Sequence, residues 1–279
     1  MIPRRRFFQI LTAGTAAAAG AGLYTWQVEP HWLEIVRCTL PIANLPHALH
    51  GATLAQLSDI HVGSRVADRY VLDTFERVTA LEPDIVVFTG DFVSYHAGIV
   101  AHADRVYANA PRGRLATLGV LGNHDFGPGW AHPEVAAELA SMLRAHGIDV
   151  LRNTVQTIEG LQIAGMDDAW GTNLKPQETV QAIDRRCAAV VLSHNPDSVD
   201  LPGWEGYTGW ILAGHTHGGQ CKPPFLPPPL LPVRNRRYTS GEIAVDAGRR
   251  LYISRGVGHT MMVRFNVRPE VTVFTLQRA

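Results

Sequence analysis

The sequence predicts an α/β fold: two packed mixed β-sheets flanked by helices. Three observations carry this reading. From about Thr53 onward, short apolar runs alternate with amphipathic stretches, the pattern of layered α/β architecture. The apolar runs are too many and too closely spaced for one open sheet, so they favour two sheets packed face to face with helices outside. Apolar residues make up 46% of the 279 positions and charged residues only 18%, enough apolar material for a full globular core. That balance excludes a disordered chain or a small scaffold held by disulfides.

In chain order, the predicted strands are 53–57, 85–89, 115–121, 162–165, 189–193, 210–213, 251–254 and 271–276, each an apolar or β-branched run bounded by turn residues. Residues 27–50 form a lead-in segment and a first strand, and 51–279 a single domain. Helices are predicted over 68–81, 133–145 and 176–186. The last two open with a proline in the first turn, where its missing N–H costs nothing.

The first 26 residues differ from the rest. Arg4-Arg5-Arg6-Phe7-Phe8 precedes an uncharged, Ala- and Gly-rich run from Ile10 to Trp26, a basic n-region followed by an apolar h-region. The order Arg-Arg-x-Phe-Phe resembles a twin-arginine signal, which implies the twin-arginine export machinery as a partner. Ala17, Ala19 and Ala21 offer A-x-A-like cleavage positions, and the run is nearly long enough to span a bilayer, so a cleaved signal and an uncleaved anchor both fit. Arginines ahead of the run place the N-terminus inside and the body outside the cytoplasm, in the periplasm or envelope.

Charge and cysteine content narrow the function. With 25 Lys+Arg against 25 Asp+Glu, the chain lacks the basic excess of a nucleic-acid binder. Cys38, Cys187 and Cys221 lie far apart and form no C-x-x-C pair; they allow at most one disulfide and read as buried, inert thiols. No G-x-S-x-G elbow, Walker A loop or G-x-G-x-x-G fingerprint occurs.

Thirteen histidines are the compositional surplus, and several fall where strands end. Five predicted strands run directly into polar clusters: Ser58-Asp59-Ile60-His61, Gly90-Asp91, Gly122-Asn123-His124-Asp125, His194-Asn195-Pro196-Asp197 and Gly214-His215-Thr216-His217. Ligands of α/β sheets bind outside the carboxyl ends of strands, so these clusters should converge. Asp, Asn and His without Cys form an oxygen and nitrogen donor set that suits Mn, Fe or Zn. The neighbouring glycines let the backbone turn tightly against a ligand.

These motifs, in this order, resemble the calcineurin-like metallophosphoesterases: D-x-H, G-D, G-N-H-[DE], a lone His, then G-H-x-H. The resemblance covers roughly residues 50–279 and implies a four-layer α-β-β-α sandwich with two divalent metal ions. It assigns one ion to Asp59, His61, Asp91 and His217. The other falls to Asp91, Asn123, His194 and His215, with Asp91 shared. The implied chemistry is hydrolysis of a phosphate ester by a phosphodiesterase or pyrophosphatase, with a bridging hydroxide as nucleophile. His124 is then the residue that stabilises phosphate charge or protonates the leaving oxygen. One departure stands out. Many relatives carry an Asp paired with the catalytic His at the position occupied here by Ser94, and Asp125 is the candidate substitute.

Around the site, Pro223 to Pro232 interleaves six prolines with Phe225, Leu226, Leu230 and Leu231. A segment so stiffened holds an acyl chain, rests on a membrane or caps the sheet edge. Arg234, Arg236 and Arg237 are candidates for binding substrate phosphate. The paired acids Asp167 and Asp168 fit a turn or the cleft edge. The substrate class is therefore a phosphate ester, with a lipid-linked one suggested by the apolar loop. Two alternatives stand beside it: a UDP-2,3-diacylglucosamine-type hydrolase of lipid A synthesis, and a non-catalytic metal-binding envelope protein on the same fold.

Overall fold

The computed structural model describes residues 3–171 and 173–279. Two six-stranded sheets are present. The first holds β1 (Glu34–Ile42), β2 (Thr53–Leu57), β3 (Ile85–Thr89), β4 (Ala116–Val120), β5 (Asp149–Val150) and, from the far end of the chain, β12 (Glu270–Arg278), in the order β1-β12-β2-β3-β4-β5. The second holds β6 (Thr154–Ile158), β7 (Leu161–Gly165), β8 (Ala188–Leu192), β9 (Gly209–Ala213), β10 (Gly241–Ala244) and β11 (Arg249–Ile253), in the order β10-β11-β9-β8-β7-β6. Both sheets are mixed. β2, β3 and β4 run parallel side by side, as do β7, β8 and β9, whereas β12 meets β2 and β6 meets β7 antiparallel.

Strand side chains alternate between two apolar layers, as the two-residue period of a strand requires. In β3, Ile85 and Val87 point into the core between the sheets, where they join Leu54, Leu118, Val190 and Leu212. Val86 and Phe88 face the opposite way, into the layer under the helices. That outer layer is covered by α2 (Asp68–Thr79), α3 (Ile99–Tyr107) and α4 (Pro133–Ala145), while α5 (Pro176–Gln181) covers the second sheet around Val180, Ile183 and Trp204. Both faces of the central strands are buried, as along the whole of β3 and β7, which accounts for their continuous apolar reading.

The boundaries differ from expectation in instructive places. α5 stops at Gln181 rather than Arg186, because Ile183 turns back onto Val180 and the Asp184 N–H donates to the Gln162 side chain. α3 was not expected. It is nine residues long and starts after Gly98, without a capping side chain. The edge strands β6 and β10 are half-exposed and carry little apolar signal.

At the N-terminus, α1 (Arg4–Leu23) is exposed along most of its length. Residues 1 and 2 of the expected signal lie outside the described residues. Among the described residues, no helix is long and apolar enough to cross a membrane. The segment after α1 is tied to the body: the Arg264 N–H donates to the Thr25 carbonyl, and the Val267 N–H to the buried Glu29 carboxylate. All three cysteines are free, and none is buried as expected: Cys187 is exposed and Cys38 and Cys221 are half-buried.

Candidate metal centre

Because β2, β3 and β4 are parallel neighbours in one sheet and β8 and β9 in the other, their carboxyl ends deliver the five polar clusters to one edge of the sandwich. Three overlapping groups of donors form there among the described residues: Asp59, His61 and His217; Asp91, His194 and His215; and, between them, His61, Asp91 and His124. Asp91 lies between the first two. Its Oδ2 is 3.4 Å from His61 Nε2 and 3.3 Å from His194 Nε2, so one carboxylate faces both groups. His217 Nε2 is 3.3 Å from Asp59 Oδ1 and 3.1 Å from His61 Nε2.

Further contacts aim each imidazole. His194 Nδ1 bonds the Thr89 carbonyl at 2.8 Å, leaving Nε2 to face Asp91. His215 Nε2 bonds the Pro232 carbonyl at 2.8 Å, so its Nδ1 turns inward, 3.2 Å from His194 Nε2. His61 Nδ1 meets Ser94 Oγ at 3.0 Å. Asp59 accepts from the Ser58 hydroxyl at 2.6 Å and from the His215 N–H. Such partners fix tautomer and ring orientation at metal sites. Behind His217 lies Arg264, whose fully buried guanidinium donates to the main-chain carbonyls of Arg255, Gly256, Gly258 and Val267.

The residues fit a pair of cations by three independent signs. First, both polar atoms of the Asn123 side chain are buried without a hydrogen-bond partner, which costs about 1–3 kcal/mol per group unless a ligand completes the site. Second, Asp59, His61, Asp91, His215 and His217 all have positive φ, between 50° and 71°, and such strain gathers at functional sites. Third, burial pushes His61 and His215 down to about 3, and His217 well below 6.5, so all three present neutral imidazoles, the form that binds metal. His194 differs: burial opposes its charge, but the Asp91 carboxylate holds it well above 6.5. Burial raises Asp59 to about 6, whereas His194, His124 and His61 together overcome burial and hold Asp91 well below 3.8.

His124 stands at the cleft face of this cluster, its ring 4.9 Å edge-on from that of His61, while its N–H donates to Asp91 Oδ1 at 2.9 Å. Asp125 does not partner it. Its carboxylate is fully buried and accepts from the Gly122 and Val93 N–H groups at 2.8 and 3.1 Å. With Ser94 turned to His61, neither Ser94 nor Asp125 supplies the acid that the motif pairs with this histidine. Arg236 and Arg237 donate to the carbonyls of Pro228 and Ala244, and the Arg234 N–H to Asp197. None of the three arginines lines the cleft. Asp167 pairs with Arg152, and Asp168 caps the Trp170 N–H while its second oxygen stays buried without a partner.

The cleft above the cluster holds about 430 Å³. Trp130 and Trp170, stacked 4.8 Å apart, form one wall, with Trp170 edge-on to His215. Leu230, Leu231, Pro232 and Met261 line it further, and no Lys or Arg is among the described lining residues. A larger groove of about 660 Å³, around Tyr207, Trp210 and Arg250, lies at the opposite ends of β8 and β9 and touches none of the clusters. The two tryptophans were not foreseen; their signal was an aromatic beside glycine in loops that follow a strand end, as in Gly127-Pro128-Gly129-Trp130.

Residues 52–219 match the family described as calcineurin-like phosphoesterase. The chain belongs to that family. This phosphoesterase is 32% identical to the uncharacterized metallophosphoesterase YkuE of Bacillus subtilis, with 98% of the chain and 97% of the relative covered. It is 31% identical to the phosphodiesterase YaeI of Escherichia coli, over 99% of the chain and all of the relative. The UDP-2,3-diacylglucosamine pyrophosphatase LpxG of Chlamydia trachomatis matches at 23% identity over 94% of the chain and 95% of the relative. As a member of the family, the chain is a phosphoric ester hydrolase with candidate ligands for a dinuclear divalent site.

Proposed function

We propose that this phosphoesterase hydrolyses phosphodiesters, with Asp59, His61, Asp91 and His217 holding one divalent ion and Asp91, Asn123, His194 and His215 the other. The supporting observation is the Asp91 carboxylate, which faces both imidazole groups at 3.3–3.4 Å. Two bound ions supply Lewis acidity toward phosphoryl oxygens and a nucleophile at neutral pH.

The chain's own residues do the rest. Asn123, placed by the turn after β4, keeps both polar atoms of its buried side chain free of other hydrogen bonds and so available to the ion it would hold. His124, at the open face, stabilises charge on a phosphoryl oxygen or gives a proton to the leaving oxygen. Its ring stands edge-on to those of His61 and Trp130, which hold it at the mouth of the cleft. Trp130 and Trp170 on one side and Leu230 and Leu231 on another exclude water and hold an apolar ester arm. A diester with one negative charge suits a lining without Lys or Arg better than a monoester dianion does.

A lipid-pyrophosphatase reading draws on LpxG, whose name gives a UDP-linked lipid as substrate. The apolar walls suit its acyl chains, but no Lys or Arg is among the described lining residues to meet a second phosphate beside the one at the proposed ions. We also read the N-terminal segment as an export signal or anchor, supported by the arginines at 4–6 ahead of the Ala- and Gly-rich α1.

The test is a panel of monoester, diester and pyrophosphate-lipid substrates on metal-loaded protein, with Asp91→Ala and His124→Ala beside it. Diesters should turn over fastest. Asp91→Ala should lose metal and turnover, while His124→Ala keeps its metal and loses about 10²–10⁴ in rate. A His124 variant that also loses its metal would end the separation of ligand from proton donor.

A further inference from the structure

We propose that the outer rim of the cleft, formed by Phe225, Leu226, Leu230, Met261 and Met262, docks on an anionic lipid surface from which the substrate enters the site. The choice of substrate rests on the phosphodiesterase reading; the docking does not.

Four observations converge. Phe225 is fully exposed, and Leu226, Leu230 and Met262 are each more than half exposed. Large apolar side chains clustered in the open mark an interaction site. Phe225 also has φ 65°, a costly conformation for a bulky residue, so its exposure is built in rather than a product of slack in the loop.

The rim is also rigid. Gln220, buried behind it, accepts from the Thr260 N–H and hydroxyl and donates to the carbonyls of Met261 and Val263, joining the two loops. A side chain on Gly219 would come within 2.3 Å of Pro228, and Arg236 holds the Pro228 carbonyl, so the proline loop is fastened to the G-H-x-H turn.

The rim is continuous with the site. Leu230 and Met261 line the cleft and are themselves exposed, so the apolar wall of the cleft reaches the outer surface. The Pro232 carbonyl that aims His215 ends the same loop.

Finally, the charge is one-sided. Residues 222–237 carry Lys222, Arg234, Arg236 and Arg237, all exposed, and no acid, in a chain whose formal charge is zero. An apolar ridge set in cations complements a negatively charged membrane leaflet. α1 leaves the body at the Arg264–Thr25 bond, two residues from Met262.

The experiment is co-sedimentation of the full chain with vesicles of phosphatidylcholine alone and of phosphatidylcholine with phosphatidylglycerol. The triple variant Phe225→Ser, Leu226→Ser, Met262→Ser is run beside wild type. Wild type should bind the phosphatidylglycerol vesicles, and the variant should bind roughly tenfold or more weakly. It should melt at the wild-type temperature and hydrolyse the soluble diester bis(4-nitrophenyl) phosphate at the wild-type rate. Equal binding by variant and wild type, equal binding to both vesicle types, or no binding by wild type overturns the proposal. If vesicle binding depends on the rim while no diester is hydrolysed, docking stands and the phosphodiesterase reading falls.

Discussion

Gly122→Ala tests whether the glycines beside the ligands exist to let the ligands in. The backbone at Gly122 has φ −104° and ψ 176°, a conformation alanine adopts freely, so any effect comes from the added methyl group. That carbon would lie 2.3 Å from Asp91 Oδ1, 2.5 Å from the Asp91 nitrogen and 2.8 Å from His194 Cε1. Comfortable contacts need about 3.5 Å, so the carboxylate between the two imidazole groups must retreat by about 1 Å. The Asp91 main chain is as close as its side chain, so a rotamer change alone gives no relief. A displacement of about 1 Å in a reacting site costs about 100-fold in rate, which converts to about 2.7 kcal/mol of barrier. Overpacking adds about 1–3 kcal/mol of lost stability. The assay is kcat on a soluble diester, with metal content by elemental analysis and a urea midpoint. Gly51→Ala is the control: φ is 85° and nothing lies within 4 Å, so it should lose about 1 kcal/mol through backbone strain and keep full activity. If Gly122→Ala kept both metal ions and the wild-type rate, the placement of Asp91 between the ligand groups would be refuted.

Three further outcomes are expected. Ser94→Ala removes the partner of His61 Nδ1 and should weaken metal affinity about 10- to 100-fold without unfolding the protein, as chelator competition would show. Metal uptake by stripped protein should release a proton from His194, which Asp91 holds charged well above pH 6.5; affinity therefore falls as pH drops below that raised value and the proton competes with the ion. Calorimetry in buffers of different ionisation enthalpy reads this directly, and buffer-independent heats would contradict it. Replacing Arg4 and Arg5 by Lys should stop export of a tagged chain, whereas continued export would remove the twin-arginine reading.

The site was legible in the sequence because its residues are punctuated by strand ends. Asp59, Asp91 and Asn123 follow three adjacent parallel strands, so spacing along the chain maps onto proximity at one sheet edge. What surrounds them was less legible. The Thr89 and Pro232 carbonyls aim His194 and His215, and a carbonyl carries no residue-type signal. Asp125 resembles a catalytic acid by position but closes its own turn against the Gly122 N–H. Arg236 and Arg237 look like a phosphate clamp, yet they hold loop carbonyls whose positions depend on tertiary contacts. α3 has a legible buried face in Ile99, Ala103, Val106 and Tyr107, but nine residues without a cap are too few to stand out from a loop.

The central claim is that one carboxylate joins two metal sites. Anomalous-difference maps from crystals of the metal-loaded protein test it most directly. Two peaks roughly 3.5–4 Å apart, with Asp91 between them and Asn123 and His194 beside one, are the predicted result. A single peak, or a pair that leaves Asp91 uncoordinated, would contradict it.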